Sequence, residues 1–214
     1  MTLDFIVPLV ASGVTAAASA VAAVCGWSAR TYRWLLPLLL LAAAGAACLC
    51  LAWPGSLLAS DALVLAAAAA GGIWLGRFLR SLPALVAFAY AGAVVDAASL
   101  AFGPTRWLIE SKVRNGISPL RYLAVCAHAD RSLLAVIGFG DVLLVAAVSA
   151  AMAGLGYRLP TALLMAVLGM LTATITGLAR GRPMPAIPFL AVALTVAIMV
   201  HARSSAGSAK GMTG

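Results

Sequence analysis

Two aspartates surrounded by apolar sequence are the residues of this chain that could do chemistry. Asp96 lies in the segment AGAVVDAASL, and Asp141 lies in VIGFGDVLLV. An aspartate at the centre of a membrane helix costs at least about 2.5–3.5 kcal/mol, so such residues mark functional sites by default. Two carboxylates that share a small site hold one proton between them. One can then activate a water molecule while the other protonates a carbonyl, which is the chemistry of aspartyl proteases.

Small residues directly precede the second aspartate, and prolines open a later apolar segment. Glycines on both sides of Phe139 would let a substrate backbone or a neighbouring helix approach closely. The sequence Pro185-Ala186-Ile187-Pro188 leaves backbone groups without helical partners, and in a membrane such groups persist only beside protein or water. An extended substrate could bind to them. The residues predicted to bind substrate or to shape the site are Gly138, Phe139, Gly140, Pro185, Ala186 and Ile187.

The composition is typical of a membrane protein. Of the 214 residues, 64% are hydrophobic and only 9% are charged, whereas a soluble domain carries about a quarter charged residues. The net charge is +8, but the basic residues lack the interleaved aromatics of a nucleic-acid groove. We therefore expect a lipid bilayer as partner and no nucleic acid. The four cysteines lack zinc-site or redox spacing, so neither a metal nor an organic cofactor is expected.

Seven apolar runs have about the length that crosses a bilayer. Their bounds are 5–27, 34–53, 57–75, 82–102, 132–155, 160–178 and 186–200. They predict an all-α, polytopic bundle with three N-terminal helices (1–80), a catalytic four-helix core (81–202) and a disordered tail (203–214). The charged stretch 104–131 is predicted as an interfacial loop. The chain is accordingly expected to be a multi-pass integral protein of a prokaryotic-type plasma membrane. Its basic residues divide seven to seven between the two sides, so charge does not set the orientation.

The predicted spans bring the two aspartates to a similar depth. Asp96 lies six residues before the end of the fourth span, and Asp141 lies nine residues after the start of the fifth. At 1.5 Å per residue, these positions are about 9 and 13 Å from the same side of the membrane. Because the two helices are consecutive and antiparallel, we expect their carboxylates to lie within reach of one water molecule.

Three short motifs and one longer run follow each other along the second half of the chain. The motifs are Val95-Asp96, Gly138-Phe139-Gly140-Asp141 and Pro185-Ala186-Ile187, and residues 103–110 read GPTRWLIE. In this order they resemble the Tyr-Asp, Gly-x-Gly-Asp and Pro-Ala-Leu motifs of the presenilin and signal peptide peptidase family of intramembrane aspartyl proteases. The longer run is similar to the Gly-Pro-Leu-Arg-x-Leu-Val-Glu sequence of presenilins. The resemblance covers about residues 82–200.

This resemblance implies a presenilin-like bundle in which Asp96 and Asp141 are catalytic and the proline motif helps to bind or shape the site. It also implies transmembrane or signal-peptide-like helices as substrates. The chain departs from the family at Val95, where tyrosine is usual, and at Ile187, where leucine is usual. It also has seven predicted spans where the family has nine.

Other interpretations stay open. Prepilin-type peptidases also use Gly-x-Gly-Asp, although lysine usually follows their second aspartate closely, whereas Val142, Leu143 and Leu144 follow here. A non-catalytic scaffold that binds membrane segments is a further alternative, and Val95 is the feature that keeps it open. A transporter would use the two aspartates as a proton relay. The sequence carries no signal for the oligomeric state.

Overall fold

The computed structural model describes residues 3–26, 57–103, 124–129, 132–180 and 184–210. In chain order, the elements are α1 (Leu3–Gly26), α2 (Leu57–Gly76), α3 (Leu82–Phe102), β1 (Ala124–Ala129), β2 (Ser132–Gly138), α4 (Phe139–Gly154), α5 (Leu159–Arg180) and α6 (Ile187–Lys210). The two strands form one antiparallel hairpin. Every other regular element in these ranges is a helix, which confirms the predicted all-α class in its coarse form.

Two helices in the described ranges, α3 and α5, are long and apolar enough to cross a membrane. Shorter apolar helical stretches lie at Leu9–Cys25, Leu65–Gly76, Phe139–Gly154 and Ile187–Arg203. The second predicted span, 34–53, lies outside the described residues. The arrangement with seven spans therefore stays a prediction.

The predicted span 132–155 is wrong over its first seven residues. Residues 132–138 form strand β2, which pairs with β1 so that Cys126 lies opposite Val136. Helix α4 begins only at Phe139, after Gly138 with extended backbone angles (φ −71°, ψ 150°). A short apolar run is ambiguous between strand and helix, and the β-branched Val136 and Ile137 favour a strand. The stretch 104–131 was predicted to be an interfacial loop, but its residues 124–129 form strand β1.

The predicted disorder of the tail is wrong for residues 203–210. Helix α6 continues through them and ends at Lys210. Two alanines and the final lysine of this segment are good helix formers, and they continue the helix through three serines and one glycine. The tail therefore extends the last helix.

Helix α4 is the centre of the bundle. It contacts each of the other described helices, and its residues from Leu144 to Met152 are buried without interruption. A helix that is apolar on all sides is typical of a buried position. Because Asp141 lies in the first turn of this helix, the best-packed part of the fold fixes the position of the second aspartate.

Two glycines of α2 allow the close packing of α2 against α4. A Cβ atom on Gly72 would collide with the carbonyl oxygen of Leu143 and would lie 2.9 Å from the amide nitrogen of Ala147. A Cβ atom on Gly76 would collide with the carbonyl oxygen of Ala147 and would lie 2.9 Å from the Cβ of Ala150. Small residues spaced by four are typical of helices whose backbones touch.

Helix α3 lies at the edge of the bundle. It packs mainly on α6 and less on α4, and Leu85 and Ala89 are its buried residues. Val94 and Val95 are 69% and 68% exposed. The first aspartate is therefore carried by a helix that has few apolar contacts around it.

We predict that Gly72→Ala and Gly76→Ala each lower the free energy of unfolding by about 1–3 kcal/mol, since the colliding atoms are backbone carbonyls that cannot turn away. Unfolding of the purified protein in detergent micelles measures the change. Gly13→Ala is the matched control, because its new Cβ would make an ordinary contact of 3.6 Å with Leu171. Equal stability of all three variants would contradict this packing.

Candidate active site

Asp141 lies in the first turn of α4, at its third residue. Its Oδ2 atom accepts a hydrogen bond from the backbone N–H of Gly138 at 3.0 Å. The first N–H groups of a helix lack partners within the helix, and a negative charge there is favoured by the helix dipole. Asp141 thus lies at a helix start and not nine residues inside a span, because β2 takes up the preceding residues.

Asp96 lies on α3, six residues before its last residue, Phe102. Its Oδ2 atom accepts a hydrogen bond from the backbone N–H of Ile187 at 3.2 Å. Ile187 is the first residue of α6, so this N–H also has no partner within its own helix. Asp96 therefore caps the start of the last helix from a neighbouring one.

The two aspartates are brought together by the approach of α3 to α4 and α6. A Cβ atom on Gly92 would lie 3.2 Å from Leu144 and 3.4 Å from Ile187. Asp96 lies about one turn beyond Gly92, and Asp141 lies about one turn before Leu144. These steps bring the two carboxylates close enough for their charges to interact.

The electrostatic setting of the pair comes from two helix starts. One oxygen of Asp96 accepts from the first residue of α6, and one oxygen of Asp141 accepts from the residue before α4. The positive ends of both helix dipoles therefore face the carboxylates and stabilise a negative charge shared between them.

The residues before Asp141 differ in their surroundings. Gly138 donates the capping hydrogen bond, and a Cβ atom on it would come within 3.2 Å of the Asp141 carboxylate. Phe139 is half-buried and packs against the core. Gly140 is exposed, and no atom of the described residues would lie within 4 Å of a Cβ atom there. Among the described residues, nothing therefore fills the space next to Gly140.

The proline motif is more buried, and has more of its backbone hydrogen-bonded within the protein, than the sequence predicted. Ala186 and Ile187 are buried, and Pro185 is half-buried. The Ala186 carbonyl accepts the N–H of Leu190 at 3.1 Å, and the Ile187 N–H donates to Asp96. Two backbone groups that were expected to be available to a substrate therefore already have partners. The contact from Ile187 to Asp96 joins the first and third motifs.

Sequence reasoning missed Gly92 as a residue of the site. The signal was available, because Gly92 precedes Asp96 by four residues and shares its helix face.

Within the described ranges, no three side chains of His, Cys, Asp or Glu are grouped as they would be around a metal ion. No family model, curated protein or solved structure matches the chain. The resemblance to presenilins therefore stays a prediction.

We predict that Gly92→Leu moves α3 away from α4 and α6, because its side chain has no room beside Leu144 and Ile187. The spacing of packed helices depends on the side chains at the contact, over a range of about 2 Å. Spin labels at the exposed positions Val94 and Val192, in a protein whose native cysteines are replaced, should show a mean distance that is longer by roughly that amount. The smaller Gly92→Ala is the control and should shift the distance little. An unchanged distance in Gly92→Leu would contradict this contact.

Proposed function

We propose that the protein is an intramembrane aspartyl protease of the presenilin-like Gly-x-Gly-Asp type. It hydrolyses peptide bonds of transmembrane or signal-peptide-like helices, using Asp96, Asp141 and a bound water molecule. The observation that carries this proposal is that two carboxylates, each hydrogen-bonded to a backbone N–H at a helix start, come close enough for their charges to interact. Acids in apolar sequence are costly to bury, so two that are brought together from distant parts of the chain mark a functional site.

The chemistry follows from one shared proton. The ionised carboxylate takes a proton from water as the water oxygen attacks the carbonyl carbon of the peptide bond. The protonated carboxyl gives its proton to the carbonyl oxygen, and a tetrahedral gem-diol forms. Proton transfer to the amide nitrogen then lets the C–N bond break, which releases a carboxylic acid and an amine. The helix starts at Gly138 and Ile187 keep both carboxylates aligned during these transfers.

The membrane location is part of the proposal. Helix α4 has 16 residues and is about 24 Å long, which is shorter than the roughly 30 Å of bilayer hydrocarbon. Strand β2 leads directly into α4 and would continue its path. Strands persist at membrane depth where their backbone groups are paired or line a cavity, and β1 provides such pairing on one edge. A substrate segment paired to a hairpin edge would present extended peptide bonds beside Asp141.

The decisive experiment is cleavage of a labelled transmembrane substrate by the purified protein in detergent, beside Asp96→Asn and Asp141→Asn. Asparagine keeps an oxygen that can accept from Ile187 or Gly138, so both variants should fold. It cannot share or transfer the proton, so we expect each variant to lose at least about 10²-fold in rate. Thr172→Val is the control with full activity expected, because the Thr172 hydroxyl is exposed and bonds within its own helix to Leu168.

Other results would favour different functions. Equal cleavage by wild type and both asparagine variants would mean that a contaminating protease is responsible, and the aspartate mechanism would lose its support. Cleavage of prepilin-like peptides alone would favour a prepilin-type peptidase. A folded wild type that cuts neither class of substrate would favour the scaffold or the transporter.

A further inference from the structure

A pair of hydroxyl groups joins the same two helices that meet at Asp96. The Tyr90 hydroxyl on α3 lies 3.1 Å from the Thr195 Oγ1 atom on α6. The Thr195 hydroxyl donates to the carbonyl oxygen of Ala191 in its own helix at 3.0 Å. Since threonine has a single hydroxyl proton, the Tyr90 O–H is the donor across the helices.

This hydrogen bond lies at a distance from the contact between Asp96 and Ile187. Tyr90 is six residues before Asp96, and Thr195 is eight residues after Ile187, which correspond to about 9 and 12 Å along the antiparallel helices. Two polar contacts separated in this way resist both rotation and sliding of α3 on α6. A single contact would leave α3 able to pivot.

The packing of α3 shows why a second contact matters. Its buried residues, Leu85 and Ala89, lie on the far side of Tyr90 from Asp96. Beyond Tyr90, Val94 and Val95 are mostly exposed. The half of α3 that carries Asp96 is therefore held to the bundle by few apolar contacts, and its orientation depends on the hydrogen bonds and on the space at Gly92.

We propose that the Tyr90–Thr195 hydrogen bond is a positioning latch that holds Asp96 opposite Asp141, an inference that rests on the proposed function. An interhelical hydrogen bond in a membrane protein changes the folding equilibrium by only about threefold. A displacement of about 1 Å in an active site costs about 10²-fold in rate. Loss of this hydrogen bond is therefore expected to lower the rate of catalysis far more than the stability of the fold.

Isosteric variants test the latch in the full-length protein. Tyr90→Phe and Thr195→Val each remove one hydroxyl and preserve the shape of the side chain. We expect each to lower kcat on the labelled transmembrane substrate at least about tenfold, with KM unchanged and with the unfolding constant altered only about threefold. The double variant should be no slower than either single variant. Thr195→Ser restores the hydroxyl and should recover kcat, and Thr172→Val should behave as wild type.

Several results would overturn the latch. The first is a kcat within twofold of wild type in both single variants. The second is a rise in KM alone, and the third is losses of kcat that multiply in the double variant. A rise in KM alone would mean that Tyr90 binds substrate directly. If wild type does not cleave at all, the proposed function fails. Unfolding of the single and double variants then decides separately whether the two hydroxyls hold α3 to α6. The latch predicts that the effects of the two substitutions on the unfolding constant are coupled by about threefold, whereas additive effects would exclude it.

Discussion

The hydrogen bond from the Ile187 N–H to the Asp96 carboxylate joins an edge helix to the start of the last helix, and the geometry of the site depends on it. A helix start has N–H groups without partners, and a buried carboxylate needs donors, so each group satisfies the other. Asp141 has the equivalent relation to Gly138. Both acids are thus fixed by backbone atoms, and the positive ends of two helices favour the negative charge that a pair with one proton must carry.

The two aspartates nevertheless differ in how tightly the helices that carry them are packed. Asp141 lies in the first turn of the central helix, whose buried alanines and contacts with Gly72 and Gly76 leave it little freedom. Asp96 belongs to α3, which has two buried residues and exposed valines next to the acid. In the proposed function, a substrate helix approaches the acids from outside the bundle. A rigid acid on α4 and an edge helix positioned by a few polar contacts provide alignment together with access.

Part of this arrangement was predictable from sequence. The apolar run 82–102 coincides with α3 because Ser81 caps it and an apolar pattern fills it. The two acids stood out by their cost in apolar sequence. The run 132–155 was misread, because hydropathy does not separate a strand from a helix and the change occurs at Gly138 without a break in composition. The partner of Asp96 could not be predicted, since it is a backbone N–H that is 91 residues away in the chain. The Tyr90–Thr195 contact depends in the same way on the packing of α3 against α6.

In the proposed mechanism, Asp96 and Asp141 act as one unit on a tetrahedral intermediate. The most direct measurement is the affinity of the purified protein in detergent for a transmembrane peptide whose scissile amide is replaced by a hydroxyethylene group. Such an analogue binds through both carboxylates, so Asp96→Asn and Asp141→Asn should each weaken binding at least about 10²-fold. The double variant should bind no more weakly than either single variant. Equal affinity of wild type and variants, or dependence on one aspartate alone, would contradict a joint role of the two aspartates.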